Sequence, residues 1–476
     1  MGFEVRRIDV TGGLKFRGFR NAIEGAPAGI AHAKQLGLGV TYHVLRDGQT
    51  GIVRGRLDDL HEETLKHTLM PDIFESSHIR PSDLRRAEEL LLSQPKMLER
   101  FTPVDVPAMN WESVTFGANP SRAAFFATLP RHGDWASAIP DPEVHLFPPG
   151  DFPMHPLSQA LHYGMSGWEG GKAYRLPDGQ IVGFRWMDIG RRFVRTITRL
   201  EGTPATPEFY AKTIEAVVRA NAELVAPFGT DGALYIRPFQ FGIGEQLGVN
   251  PPEEECLMVV VSPVGPYYNK KVGFAPIHLK IEEAVHRAWP GGIGNVKATG
   301  SYIIGMESQV KTKAKGFNEN LYVNETGSGA EELGSGNFFT VRDGKLYTAT
   351  LENGTILPGI TRATIIEIAH AMGLEVIEDD HHLMGVALAQ EAFVTGNAAR
   401  ITPVGSVTFR GSKKIFGDGT PGEITQKLYA ALVAVQQARW DDPALAGIPR
   451  EMLERWESEW LYRVLEPAQV PQPVRS

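Results

Sequence analysis

Lysine, glutamate and arginine side chains usually sit on surfaces, so only their local settings can indicate chemistry. Lys297 lies in GNVKATGSY, among glycine and small residues and away from charged runs. An amine in such a setting can hold a carbonyl compound covalently and then shuttle a proton. In AEELGSGNFF, Glu331 and Glu332 come directly before a Gly-rich turn that leads into an apolar strand. A carboxylate there could keep a ring nitrogen protonated. In GTILPGITRATIIEIA, Pro358 and Gly359 shape a turn that ends in a helix. Ile360 and Thr361 then present backbone N–H groups at the helix start, where the dipole favours a phosphate. Taken alone, LPGITR reads more readily as a plain loop-to-helix junction with Thr as cap.

The elements around these residues alternate strand and helix. Residues 107–285 read as a small α/β domain, with strands in AYRLPDGQIVGFRW, ALYIRPFQFGI and CLMVVVSPV. The helix between them is PEFYAKTIEAVVRANAELVAPF. The Gly-rich segment 286–295, containing WPGGIGN, reads as a linker. Residues 296–465 form a larger domain with a strand pair joined at Asp343-Gly344. It also holds an amphipathic helix closed by Gly373 and a long helix in ITQKLYAALVAVQQARW. The tail 466–476 carries three prolines. Residues 1–106 form an extension without a chemical motif. Within it, GVTYHVLRDGQTGIVRGRL predicts two strands around a turn, and residues 81–98 predict a helix opened by Pro81, Ser82 and Asp83. The fold class is α/β, or α+β mixed.

Bulk properties narrow the function. The 476 residues carry a net charge of −8, with no basic stripe for a nucleic-acid backbone. The longest apolar stretches are too short to span a bilayer. Cys256 is the sole cysteine, which excludes an internal disulfide and a cysteine-rich metal site, and it reads as a small buried hydrophobe. His381 and His382, in the polar stretch EDDHHLMG, read as a solvated turn, so no metal is expected. The N-terminus lacks an apolar signal core, and a cytoplasmic location is the default expectation.

Six blocks in order give the chain a resemblance to the branched-chain aminotransferases, of fold-type IV pyridoxal-phosphate (PLP) enzymes. They are LHYGMSGWEGGKAYRLPDGQ, YIRPFQFGIGEQLGVNPP, GNVKATGSY, EELGSGNFF, LPGITR and TGNAARITPV, within roughly 111–443. The resemblance implies two mixed domains with the cofactor between them. It makes Lys297 the Schiff-base lysine and Glu332 the partner of the pyridine nitrogen, with Glu331 the lesser candidate. Arg192 falls at the phosphate-binding arginine, Arg191 being the register alternative. Ile360 and Thr361 complete the phosphate cup, Asn397 lies beside it, and Tyr302 packs by the ring. Tyr235 and Arg237 match substrate carboxylate contacts, and two apart on a strand they share a face. Tyr163, Trp168 and Gly170 match the pocket wall, and Ala398 joins the substrate contacts. Part of that wall comes from the partner subunit in this family, so a homodimer is expected. Tyr163 and Trp168 could instead be core aromatics, Arg237 could sit in a structural ion pair, and His162 reads as a structural histidine.

The implied reaction moves an amino group between a branched-chain-like L-amino acid and 2-oxoglutarate or another 2-oxo acid. Two departures affect the site. Asn397 stands where the family usually has Thr, and Thr299–Gly300–Ser301 replaces the usual residues after the lysine. They keep open a D-amino-acid, (R)-amine or secondary-metabolite transaminase, or a PLP lyase, and remotely a non-catalytic relic. Residues 1–106, without counterpart in ordinary members, read as a structural or oligomerisation element.

Overall fold

The computed structural model describes residues 104–466 apart from 148, 150–153 and 269–273, together with residue 469 and the backbone of four strands within residues 3–56. Those strands, Phe3–Val10, Leu14–Arg17, Gly39–Arg46 and Gln49–Arg56, form an antiparallel sheet of their own. The last two are the strand pair expected in that region, and the helix expected at 81–98 lies outside the described residues.

Ala233–Ile243 and Glu254–Val264 pair antiparallel along their full length and form the middle of the first sheet. Gly171–Arg175, Ile181–Phe184 and Leu461–Leu465 extend it on one side, and Ala124–Pro130 and Leu146–Phe147 on the other. Ser166–Trp168 pairs beside Gly171–Arg175 on Ala233–Ile243. Two helices cover one face. Trp186–Arg199 contributes Ile189, Phe193 and Ile197, and Pro207–Ala220 contributes Phe209, Ile214 and Val217. Thr206 caps the second helix by accepting from Phe209 N, with Pro207 at the first position. Fully burying each such large apolar side chain contributes about 1.5–3 kcal/mol before entropy is subtracted.

The second sheet runs Ala330–Leu333, Glu319–Val323, Ile277–Glu282, Arg400–Phe409, Glu391–Gly396, Asn337–Arg342, Lys345–Ala349 and Val376–Asp379. Glu332 also pairs with Asn337, so the first six strands close into a ring. Helices Ile360–Ala371 and Glu423–Gln436 pack on it through Ile365, Ile368, Leu428 and Leu432. The hairpin at Asp343-Gly344 forms as expected. Both residues have positive φ, 52° and 75°, which suits the strand twist.

Strand membership departs from the expected boundaries of 107–285 and 296–465. Ile277–Glu282 lies in the second sheet, parallel to Glu319–Val323 and Arg400–Phe409. Leu461–Leu465 returns to the first. Both strands are placed by long-range pairing, which local periodicity does not encode. The crossover between Ile277–Glu282 and Glu319–Val323 contains Lys297.

Candidate active site

A cavity of about 720 Å³ lies between the two sheets and draws its walls from both. That volume is typical of a small-molecule site. Lys297 is pinned at its edge. Its backbone N–H donates to Thr196 Oγ1 at 3.1 Å, and its carbonyl accepts from Trp168 N at 3.1 Å. Its neighbour Ala298 bridges Gly167, which fastens the turn to Ser166–Trp168. The Lys297 amine donates to Tyr302 OH at 2.9 Å and lies 4.0 Å from the Trp168 ring centre. Desolvation, helped by the Arg192 cation, lowers its pKa to about 8. Burial raises the Tyr302 phenol above its usual range, and Glu332 adds to the shift.

Alternation on strand Ala330–Leu333 separates the two glutamates. Glu332 lines the cavity, whereas Glu331 turns away and accepts from Thr355. Glu332 accepts from Asn337 Nδ2 at 2.8 Å and Leu357 N at 3.2 Å, and it forms an ion pair with Arg287. Burial pushes Glu332 up to about 7 while Arg287 pulls it back.

Arg191 and Arg192 separate in the same way. Arg191 is exposed and pairs with Asp188, and Arg192 is buried on the cavity wall. Arg192 grips Glu169 with two bonds, Nε to Oε1 at 2.7 Å and Nη2 to Oε2 at 2.6 Å. Its Nη1 donates to Pro358 O at 3.2 Å, next to the start of helix Ile360–Ala371. Burial opposes the Arg192 charge, but Glu169 holds its pKa above the usual value. Gly359 precedes that helix and supplies no side-chain cap, so the Ile360 and Thr361 N–H groups have no side-chain acceptor from it. A Cβ on Gly359 would come 2.1 Å from Asn337 Oδ1, so glycine is required for this close approach. Thr361 Oγ1 donates to Asn397 Oδ1 at 2.8 Å, and Asn397 Nδ2 donates to Gly170 O. Asn397 therefore ties the two sheets together at the cavity edge.

On the facing wall, Arg237 stacks 3.8 Å over the Trp168 ring and donates to Tyr235 OH at 3.0 Å. Gly170 leaves room for that phenol, since a Cβ would meet Tyr235 OH at 2.3 Å. The Ala398 carbonyl accepts from buried Lys172 at 2.7 Å. All the expected residues line this cavity except Tyr163, which is 42% exposed and donates to Leu247 O.

Several residues of the site were not anticipated from sequence. Glu169 lies buried behind the wall as the partner of Arg192, Arg287 on the wall pairs with Glu332, and Phe116, Tyr267, Tyr268 and Glu319 also line the cavity. Glu169 lies inside the WEGG block and Arg287 three residues before the expected linker's Pro290, so only the adjoining motifs pointed to them. Phe116 and Tyr267 sit in irregular segments that have no periodic signal.

Elsewhere, Cys256 is fully buried among Phe147, Phe241, Ile243 and Met258. His162 Nε2 lies 2.7 Å from Pro156 O, away from the cavity. The solvated-turn expectation for His381 is corrected. Its backbone has φ 45°, and the ring turns inward to stack on Phe338 and bond Thr340 at 2.8 Å, while His382 stays exposed.

The donors fit PLP: an amine of lowered pKa, a buried carboxyl, a helix N-terminus without a side-chain cap, and an arginine with two N–H groups left beyond its three bonds. Such a constellation, set between an antiparallel sheet and a mixed one, supplies what a class IV aminotransferase requires. The sequence pattern of amino-transferase class IV matches residues 172–407. Branched-chain-amino-acid aminotransferase 5, chloroplastic, of Arabidopsis thaliana is 35% identical, over 71% of this chain and 79% of its own. Branched-chain-amino-acid aminotransferase 1, mitochondrial, of the same plant is 36% identical over 62% and 75%. Among solved structures, the branched-chain aminotransferase from the thermophilic archaeon Thermoproteus uzoniensis with norvaline is 26% identical. It covers 72% of this chain and 100% of its own at a TM-score of 0.58. A second solved branched-chain amino acid aminotransferase, with pyridoxamine 5'-phosphate, is 27% identical over 73% of this chain and 100% of its own, also at a TM-score of 0.58. The chain belongs to the branched-chain aminotransferase family and is a PLP-dependent transaminase.

The cytoplasmic expectation is corrected by the same relatives, which are chloroplastic and mitochondrial. An N-terminus without an apolar signal core assigns no compartment, because transit peptides are amphipathic and have no such core either. No helix among the described residues is long and apolar enough to cross a membrane.

Proposed function

We propose that the chain moves the amino group between branched-chain L-amino acids and 2-oxoglutarate or another 2-oxo acid, with Lys297 holding PLP. The observation that carries this is the Lys297 amine, its pKa brought down to about 8, set in one cavity with Glu332 and Arg192. Arg192 and the N–H groups of Ile360 and Thr361 would hold the phosphate, and Asn397 braces Thr361. Glu332 would pair with the ring nitrogen, and Tyr302 would pack beside the ring. When bound, the cofactor supplies an electron sink that acidifies the α-proton of an amino acid. The Lys297 Nζ, partly neutral near physiological pH, accepts that proton. Tyr235, Arg237 and Ala398 orient the substrate carboxylate. Trp168, Gly170 and the other aromatics form an apolar wall that suits an aliphatic side chain and excludes water.

Tyr163 stands outside its own cavity and is exposed with Leu161 and Leu247. This supports a homodimer in which Tyr163 completes the pocket of a second copy. The chain divides into two mixed halves around the site, and the extension 1–106 serves packing or assembly.

The test is a half-reaction screen of purified holoenzyme. Each amine is added alone, and conversion of the cofactor to its amino form is followed by absorbance. Rapid conversion by leucine, isoleucine, valine and glutamate is the expected result. Conversion only by D-amino acids or other amines would overturn the substrate assignment.

A further inference from the structure

One polar cluster on the cavity wall, with buried Glu319 at its centre, has no part in the roles above. Tyr268 OH donates to Glu319 Oε2 at 2.6 Å, and Ser335 Oγ donates to the same oxygen at 2.8 Å. Glu319 is 6% exposed, on strand Glu319–Val323 of the second sheet. Tyr268 lies on the segment that leaves the first sheet after Val264. Among the described residues, no backbone hydrogen bond holds Tyr267 or Tyr268. The segment is pressed at its start, where Gly265 packs against Val114 O, and is gripped further on by the Tyr268–Glu319 bond.

Between these two points stands Tyr267, which lines the cavity. Its ring meets Tyr268 edge-on at 4.7 Å and Phe116 edge-on at 4.7 Å, and Phe116 meets Tyr235 at 5.1 Å. The contacts run without a gap from Glu319 through Tyr268, Tyr267 and Phe116 to Tyr235. Tyr267 is 37% exposed and Phe116 and Tyr268 are half-buried, so the place of the Tyr267 ring rests on the two rings it meets. The Tyr268 hydroxyl meets both Glu319 and Ser335, and losing a hydrogen bond to a buried carboxylate is costly, so those two partners fix its position.

We infer that Glu319 is a positioning residue for the substrate wall: braced by Ser335, its carboxyl anchors Tyr268 and thereby sets Tyr267 against the cavity. Glu319 is not catalytic and does not hold the cofactor. The inference rests on the transaminase pocket proposed above, with Tyr267 part of its wall.

The test uses holoenzyme and the fastest amino donor of the half-reaction screen. Tyr268→Phe keeps the ring and removes the donor. It should raise KM for that donor about tenfold, the weight of one hydrogen bond to a buried acceptor, with kcat within about twofold and PLP affinity unchanged. Glu319→Leu should reproduce the effect, the double variant should add nothing to either, and Glu319→Gln, which still accepts, should restore a KM near wild type. An unchanged KM in Tyr268→Phe overturns the inference, and so do additive effects or an equal fall in kcat and PLP affinity. If Glu319→Leu does not fold, Tyr268→Phe and Glu319→Gln decide alone. A wild type that converts none of leucine, isoleucine, valine and glutamate overturns the branched-chain assignment instead, and the anchoring is then read on whichever other donor reacts.

Discussion

The ionisation of Lys297 gives the sharpest quantitative test of the site. Its amine titrates near 8 instead of 10.5 because the site desolvates it and Arg192 adds a like charge. At pH 7.5 this leaves roughly a quarter of the amine neutral, against roughly 0.1% for an ordinary lysine, a gain of about two hundredfold. Only the neutral amine attacks a carbonyl. The assay mixes PLP-free protein with pyridoxal, which has no phosphate and so does not engage the cup. Visible absorbance is followed by stopped flow between pH 6 and 10. The rate should rise about tenfold per pH unit below 8 and level off above it. A rate that still climbs tenfold per unit beyond pH 9 would refute the lowered amine and with it the role given to its surroundings. Stability carries the same signature. The folded pKa lies below the unfolded one, so between about 8 and 10.5 the unfolded chain binds more protons and stability rises with pH.

Two further perturbations probe the buried charges. Arg287→Met removes the cation that opposes the upward shift of Glu332, so the carboxyl should stay protonated well above 7. Destabilisation of the PLP-free variant, read by urea unfolding, should then grow with pH above 7 by up to about 1.4 kcal/mol per unit. A loss independent of pH would show that Arg287 serves only the carbonyls of Gly294 and Thr355, to which it also donates. His381, lowered to about 3 by burial, is neutral in the fold and protonates on unfolding below its ordinary value of 6.5. That stability is fully present above 6.5 and is lost as pH falls towards 3, at most about 4–5 kcal/mol. His381→Gln should flatten the acid limb of the stability curve, and an unchanged slope between pH 6 and 4 would place the ring in water.

What the sequence revealed and what it hid divide along physical lines. Helix and strand were legible where one face is apolar at a regular period, as in Ile360–Ala371 and the Asp343-Gly344 hairpin. Lys297, Glu332 and Arg192 were legible because short motifs hold them, and the choice between Glu331 and Glu332 follows from strand alternation once the strand exists. Ile277–Glu282 was assigned to the wrong half because its neighbours lie far along the chain. His381 was misjudged because its left-handed backbone, and not its polar neighbours, decides where the ring goes. Glu169 and Arg287 were missed because a buried charge has the same letter as a solvated one. Yet burial makes a demand that composition does not show: an unpaired charge in a low-dielectric wall costs several kcal/mol, so Arg192 and Glu332 each required a counter-charge nearby. Glu169, 23 residues before Arg192, and Arg287, 45 before Glu332, meet that demand. Both lie within stretches already singled out, the WEGG block and the expected linker. Once a motif places an ionic group inside a fold, the search for its partner therefore belongs among the charged residues that flank the other motifs.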